Sequence, residues 1–166
     1  MGKGKARALV GEEVKPLTYE EVEAIVKSGQ REDLGKLRRI YSEQQRYDTF
    51  IAKVKSEYCT VEDYILHKVF GVEKKVQQDS GKWACQTATS HQQRLLIWRE
   101  NDFPYALESG LKHYILWSTE TLKKEDIETE IEAHVPTTEY LYFVNPPKFR
   151  SIERVWHAHV LFKEVH

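Results

Sequence analysis

The sequence predicts an α+β fold: an N-terminal helical half, then an antiparallel sheet of about four strands with one helix packed on it. Two observations carry this. Up to about residue 70, apolar residues recur at spacings of three and four, the period of an amphipathic helix. Beyond about residue 94, short runs rich in β-branched and aromatic residues are separated by turn residues. Helices first and strands afterwards, with one helix among them, is the α+β order.

The elements follow in chain order. Residues 1–16, rich in Gly, Lys, Arg and Glu and ending at Pro16, read as a flexible arm. Thr18-Tyr19-Glu20-Glu21 is a capping box that opens a short helix with Val22, Ile25 and Val26 on one face. Gly29 is its stop. Leu34, Leu37, Tyr41, Tyr47, Ile51, Val54 and Tyr58 predict one amphipathic helix over about 31–57. Thr60-Val61-Glu62-Asp63 begins another, which Gly71 closes. The polar stretch 72–91 reads as a loop. Arg94–Arg99 is a short apolar run, and Pro104 makes 101–105 a turn. Lys112–Ser118, Tyr140–Val144 and Val155–Lys163 are strands, with a helix over 120–134 whose stripe is Leu122, Ile127 and Ile131. The domain reading is a single unit over 17–166: a helical half at 17–71, the loop, and a sheet half at 92–166.

Composition narrows the function classes. The chain has 166 residues, 40% hydrophobic and 31% charged, enough for one packed core. A net charge of -1 excludes a wholly basic nucleic-acid binder, though not a basic face. The two cysteines, Cys59 and Cys85, are not in a CxxC pair, so a disulfide scaffold and a thiol zinc site are excluded. The first residues lack an apolar signal core. No stretch approaches the roughly 18 apolar residues of a membrane span. A cytoplasmic protein without membrane contact is expected.

Several segments resemble a known family. LTYEEVEAIVKSG and VKSEYCTVEDYILHKVFG are similar to the helical half of the N-acetylglucosamine-induced proteins of fungi and protists. RENDFPYALESGLKHYILWS and VNPPKFRSIERVWHAHV resemble that family's two signatures in the sheet half. The likeness runs from about Leu17 to Phe162, although the loops, notably 119–140, are shorter than in many members. Most of the family is catalogued as a domain of unknown function. Some fungal members are arginine-containing cyclodipeptide synthases that consume aminoacyl-tRNA. The resemblance therefore implies a group-transfer enzyme, with aminoacyl-tRNA as its partner.

The residues that point to chemistry are histidines. His157 and His159 lie two apart in a strand, so both imidazoles share one face. His113, in a strand and kept by the family signature, is the third candidate. The three are expected around one pocket, as catalytic residues. Unperturbed imidazoles titrate near 6.5, so a close pair keeps at least one ring neutral at pH 7, able to act as base or nucleophile. Structural histidines bonded to backbone are the alternative. A second, fainter resemblance is to histidine-triad nucleotide hydrolases, in which an Asn-x-x-Pro turn and a His strand precede an alternating His-x-His-x-His strand. Asn101, Pro104, His113, Ser151, His157 and His159 fall in that order, with Val155 and Leu161 where a third alternating histidine would stand. It implies nucleotide or phosphoester chemistry instead.

Substrate contacts are expected from Asn101, Asp102 and Tyr105 at the turn, and from Arg150 and Arg154 before the last strand, where they could hold phosphate. Asp102 or Glu108 is suited to an arginyl guanidinium. Between Lys27 and Lys55 eight basic residues face four acidic ones. Lys36, Arg38, Arg39 and Arg46 are the candidate nucleic-acid contacts there, against a solvated helix face. No cofactor and no metal is expected. The third class of function is a non-enzymatic subunit that binds a protein partner.

Overall fold

The computed structural model describes residues 13–85, 94–145 and 155–165. Helix α1 (Tyr19–Ser28) starts at the expected capping box: Glu21 N–H donates to Thr18 Oγ1, and Thr18 N–H to the Glu21 carboxylate. It ends at Gly29, whose φ of 61° is the left-handed cap that glycine adopts without strain.

The single helix expected over 31–57 is two. Helix α2 (Arg31–Leu34) stops at Gly35, and α3 (Tyr41–Glu57) begins six residues later. Leu37, between the two helices, is fully buried in the core shared with α1 and Leu34. Helix α4 (Val61–Lys68) is capped by Thr60, whose hydroxyl accepts from Asp63 N–H.

The polar stretch after α4 is not all loop. Strands β1 (Lys74–Val76) and β2 (Trp83–Cys85) form an antiparallel hairpin. Asp63 anchors it: its carboxylate accepts Cys85 N–H at 2.9 Å and the Thr60 hydroxyl at 2.6 Å.

The remaining strands, β3 (Leu96–Glu100), β4 (Leu111–Ser118), β5 (Tyr140–Phe143) and β6 (Trp156–Lys163), make one antiparallel sheet in the order β3-β4-β6-β5. Helix α5 (Lys124–His134) begins four residues later than the sequence suggests, with Leu122 buried ahead of it.

Alternation along these strands divides the core into layers. Leu116, Trp156, Ala158, Val160 and Phe162 face Ile127 and Ile131 of α5. The opposite face meets the N-terminal helices in two separate apolar groups. Leu141, Phe143, Leu161 and Tyr105 pack with α1, Leu34 and Leu37. Trp117 and Val155, with Ile97 and Ile115 at its edge, pack with Val54, Tyr58 and the apolar side of α4. His113, His157 and His159 lie on this second face, along the seam between the two groups.

Candidate active site

The sheet register assembles the site. His159 on β6 stands opposite Ile115 on β4, and His113 stands opposite Leu161. His113 and His159 are therefore diagonal neighbours on one face, within reach of each other. Their nitrogens meet: His113 Nε2 lies 2.9 Å from His159 Nδ1. All three imidazoles are buried, with 3% (His113), 7% (His157) and 5% (His159) of their surface exposed.

Hydrogen bonds govern the protons of the pair. Tyr105 N–H donates to His113 Nδ1 at 3.3 Å, so the proton of a neutral His113 belongs on Nε2, where it is donated to His159 Nδ1. His159 Nε2 lies 3.3 Å from the side-chain Nδ2 of Asn145. Asn101 pulls the other way. Its Oδ1 accepts Phe103 N–H at 2.8 Å, which turns its Nδ2 toward His113 Nε2 at 3.3 Å. That donor favours the tautomer in which His113 Nε2 accepts. Two donors thus converge on one imidazole, and in its neutral form it can accept from only one of them.

Aromatic rings fix the imidazoles in plane. His159 stacks on Phe143 at 4.9 Å and 12°. Tyr105 packs on His113 at 4.8 Å and on His159 at 5.5 Å. His157 meets His159 edge-on at 5.3 Å and leans on Trp117 at 5.0 Å. The three rings form one packed cluster, in which His113 and His159 are joined through their nitrogens.

The 101–108 loop that closes over His113 is held by the helical half. Arg39 Nε donates to the Phe103 carbonyl at 2.7 Å, Arg46 Nη2 donates to the Asp102 carbonyl, and Ala106 N–H donates to the Arg38 carbonyl at 2.8 Å. Leu17 bonds the same loop on both sides, through Ala106 and Glu108. The Glu108 carboxylate accepts Tyr19 N–H at 3.0 Å.

Five of the twelve expected site residues come together. His113, His157, His159, Asn101 and Tyr105 form one cluster. Asp102 is exposed beside it, and its carbonyl is engaged by Arg46. Arg150 and Arg154 lie outside the described residues. Of the basic candidates, Lys36 is on the surface, where its hydrogen bond to Asp33 raises its own pKa and lowers that of the carboxylate. Arg46 also pairs with Glu43 at 2.9 Å. Asn145 was not singled out by the sequence as a site residue, because Asn-Pro-Pro after a strand reads as a terminator.

The fold and the cluster together define an α+β protein with a cluster of buried histidines on the helix-covered face of its sheet. The chain belongs to the family described as "Protein of unknown function (DUF3605)", whose model matches residues 18–163. It is 26% identical over 169 residues to the uncharacterized protein YPL067C of Saccharomyces cerevisiae, covering 90% of this chain and 80% of that protein. Its fold is similar to the crystal structure of HTC1, with a TM-score of 0.62 and 24% identity over 88% of this chain and 84% of the other.

Proposed function

We propose that the chain is a group-transfer enzyme whose reacting centre is the His113–His159 pair. The observation that carries this reading is the 2.9 Å contact between two buried imidazole nitrogens. A proton held between two rings in an apolar seam can be taken up and returned without bulk water, which is the work of a general base and acid. The most concrete version follows the resemblance to the N-acetylglucosamine-induced proteins: synthesis of an arginine-containing cyclic dipeptide from aminoacyl-tRNA.

The chemistry balances without an oxidant or a metal. The amine of one aminoacyl group attacks the ester carbonyl of the other. A C–N bond forms, the ester C–O bond breaks, and the amine proton passes through the imidazoles to the departing ribose oxygen. A second attack, by the free amine on the remaining ester, closes the ring in the same way. Exposed Asp102 is the acidic group for the arginyl side chain. A cytoplasmic location accords with this substrate. The test is incubation of the chain with arginyl-tRNA and mass spectrometry of the products. A cyclic arginine dipeptide that disappears in folded His159→Gln is expected. No product from the folded wild type would overturn the cyclodipeptide version.

A second reading is histidine-triad-like nucleotide hydrolysis or transfer. It is favoured by two hydrogen-bonded histidines on adjacent antiparallel strands beside an Asn-x-x-Pro turn. Release of nucleoside monophosphate from an aminoacyl-adenylate or a dinucleotide, rather than a dipeptide, would distinguish it. Loss of neither activity in the histidine variants would favour a non-enzymatic subunit.

A further inference from the structure

We propose that Arg39 is the phosphate-binding residue of this site, gripping a phosphate carried by a nucleotide or by the 3′ end of an RNA. The inference rests on the reading above, since both its versions use a nucleotidyl ligand. It narrows the broad basic face over 27–55 to one residue with a built setting.

The setting has three parts. The first is confinement. Arg39 is half-buried, with its guanidinium carbon 4.2 Å from the centre of the Tyr47 ring and 5.5 Å from that of Tyr105. Stacking of this kind fixes the plane of the fork in advance and lowers the entropy lost when it binds.

The second is charge. Only Nε has a hydrogen-bond partner among the described residues, the Phe103 carbonyl, and no carboxylate there pairs with the group. A half-hidden cation without a counter-ion is unfavourable by itself. A bound anion would offset that cost, and the two terminal nitrogens match two phosphate oxygens. Arg46 lies next door, 4.3 Å from the centre of the Phe103 ring, and Glu43 balances one charge of the two. The charge left over is that of Arg39, whose planar fork matches the oxygens of a phosphate.

The third is position. The Tyr105 ring neighbours Arg39 and both His113 and His159, so a single residue links the guanidinium to the histidine pair. A phosphate held there places the attached nucleotide beside the histidines. Arg39 is a binding residue in this account and takes no part in proton transfer.

Two probes separate the sources of phosphate: adenosine 5′-monophosphate and a short RNA hairpin ending in CCA, each titrated into the full chain by calorimetry. Binding of either probe is expected, weakened about tenfold to a hundredfold in Arg39→Gln, as for loss of a charge-assisted pair. Arg39→Lys keeps the charge and a donor for the Phe103 carbonyl but lacks the fork, so an intermediate loss is expected. Binding of the mononucleotide identifies a free nucleotide as the ligand, whereas binding of the hairpin alone identifies an RNA end. If Arg39→Gln fails to fold, a lysine variant that folds and binds either probe as tightly as wild type overturns the proposal. So does unchanged binding in folded Arg39→Gln, or no binding of either probe to wild type. The readout is equilibrium binding, which does not depend on turnover at the histidines. Inactive histidine reactions would then leave the phosphate site standing, and a failed phosphate site would leave the histidine reading intact.

Discussion

His113 Nε2 and His159 Nδ1 are 2.9 Å apart, on adjacent strands and beneath a helical layer that covers both rings. A single hydrogen links them, so the two rings cannot both carry a proton on the facing nitrogens. Burial also decides how each ring responds to mutation.

Histidines on an open pocket wall can be truncated at little cost. His159 is not so placed. Replacing it with Ala removes a ring stacked on Phe143 and leaves His113 and Asn145 each without one polar contact. A loss of about 2–4 kcal/mol is expected. That lowers the melting temperature by roughly 2–4 °C per kcal/mol for a chain of this size. His159→Gln, which keeps polar atoms near both sites, should lose less. Thermal unfolding followed by circular dichroism checks the order; equal stability of wild type and His159→Ala would mean the ring is not packed as described.

Asp63 ties the hairpin to α4 through one buried carboxylate. Asp63→Ala removes the carboxylate that accepts from Cys85 N–H and the Thr60 hydroxyl, for about 2–3 kcal/mol. Hydrogen exchange should quicken first at Cys85 and along β1 and β2. Exchange that rises evenly over the whole sheet would contradict a local anchor.

Tyr140 and Tyr142 supply the pH dependence. Burial, and then the hydrogen bond to Glu132, push the Tyr140 phenol up to about 12. Burial and Glu128 raise Tyr142 as well. The folded state holds these phenols neutral, so their contribution is complete below pH 10. The Tyr140 part is lost as pH rises through about 12, when a phenolate forms beside Glu132. Absorbance at 295 nm should show late-titrating tyrosine among the nine, and Tyr140→Phe should remove its largest part. A single titration of all tyrosines near 10 would refute this.

The four-stranded sheet was legible because β4, β5 and β6 carry dense runs of β-branched and aromatic residues between clear turn signals. The β1–β2 hairpin was not, since its strands are three residues long and one contact that holds it comes from Asp63, 22 positions before Cys85. The break at Gly35 was hidden by Leu34 and Leu37, whose spacing fits a helix and a buried bend alike. At the site, the two-residue spacing of His157 and His159 announced a shared face, and the family likeness brought in His113 and Asn101. Arg39 looked like one charge in a basic run. Its pairing with the 101–105 turn, 64 positions away from Phe103, is a product of the tertiary fold.

The most direct measurement is a double-mutant cycle on product formation from arginyl-tRNA under single-turnover conditions, with His113→Gln, His159→Gln and both together, each verified as folded. If the pair works as one relay, each single change should slow the reaction by about 10²–10⁴-fold, and the double should be scarcely slower than either. Losses that multiply, or single variants that keep the wild-type rate, would contradict a shared proton as the centre of this protein's chemistry.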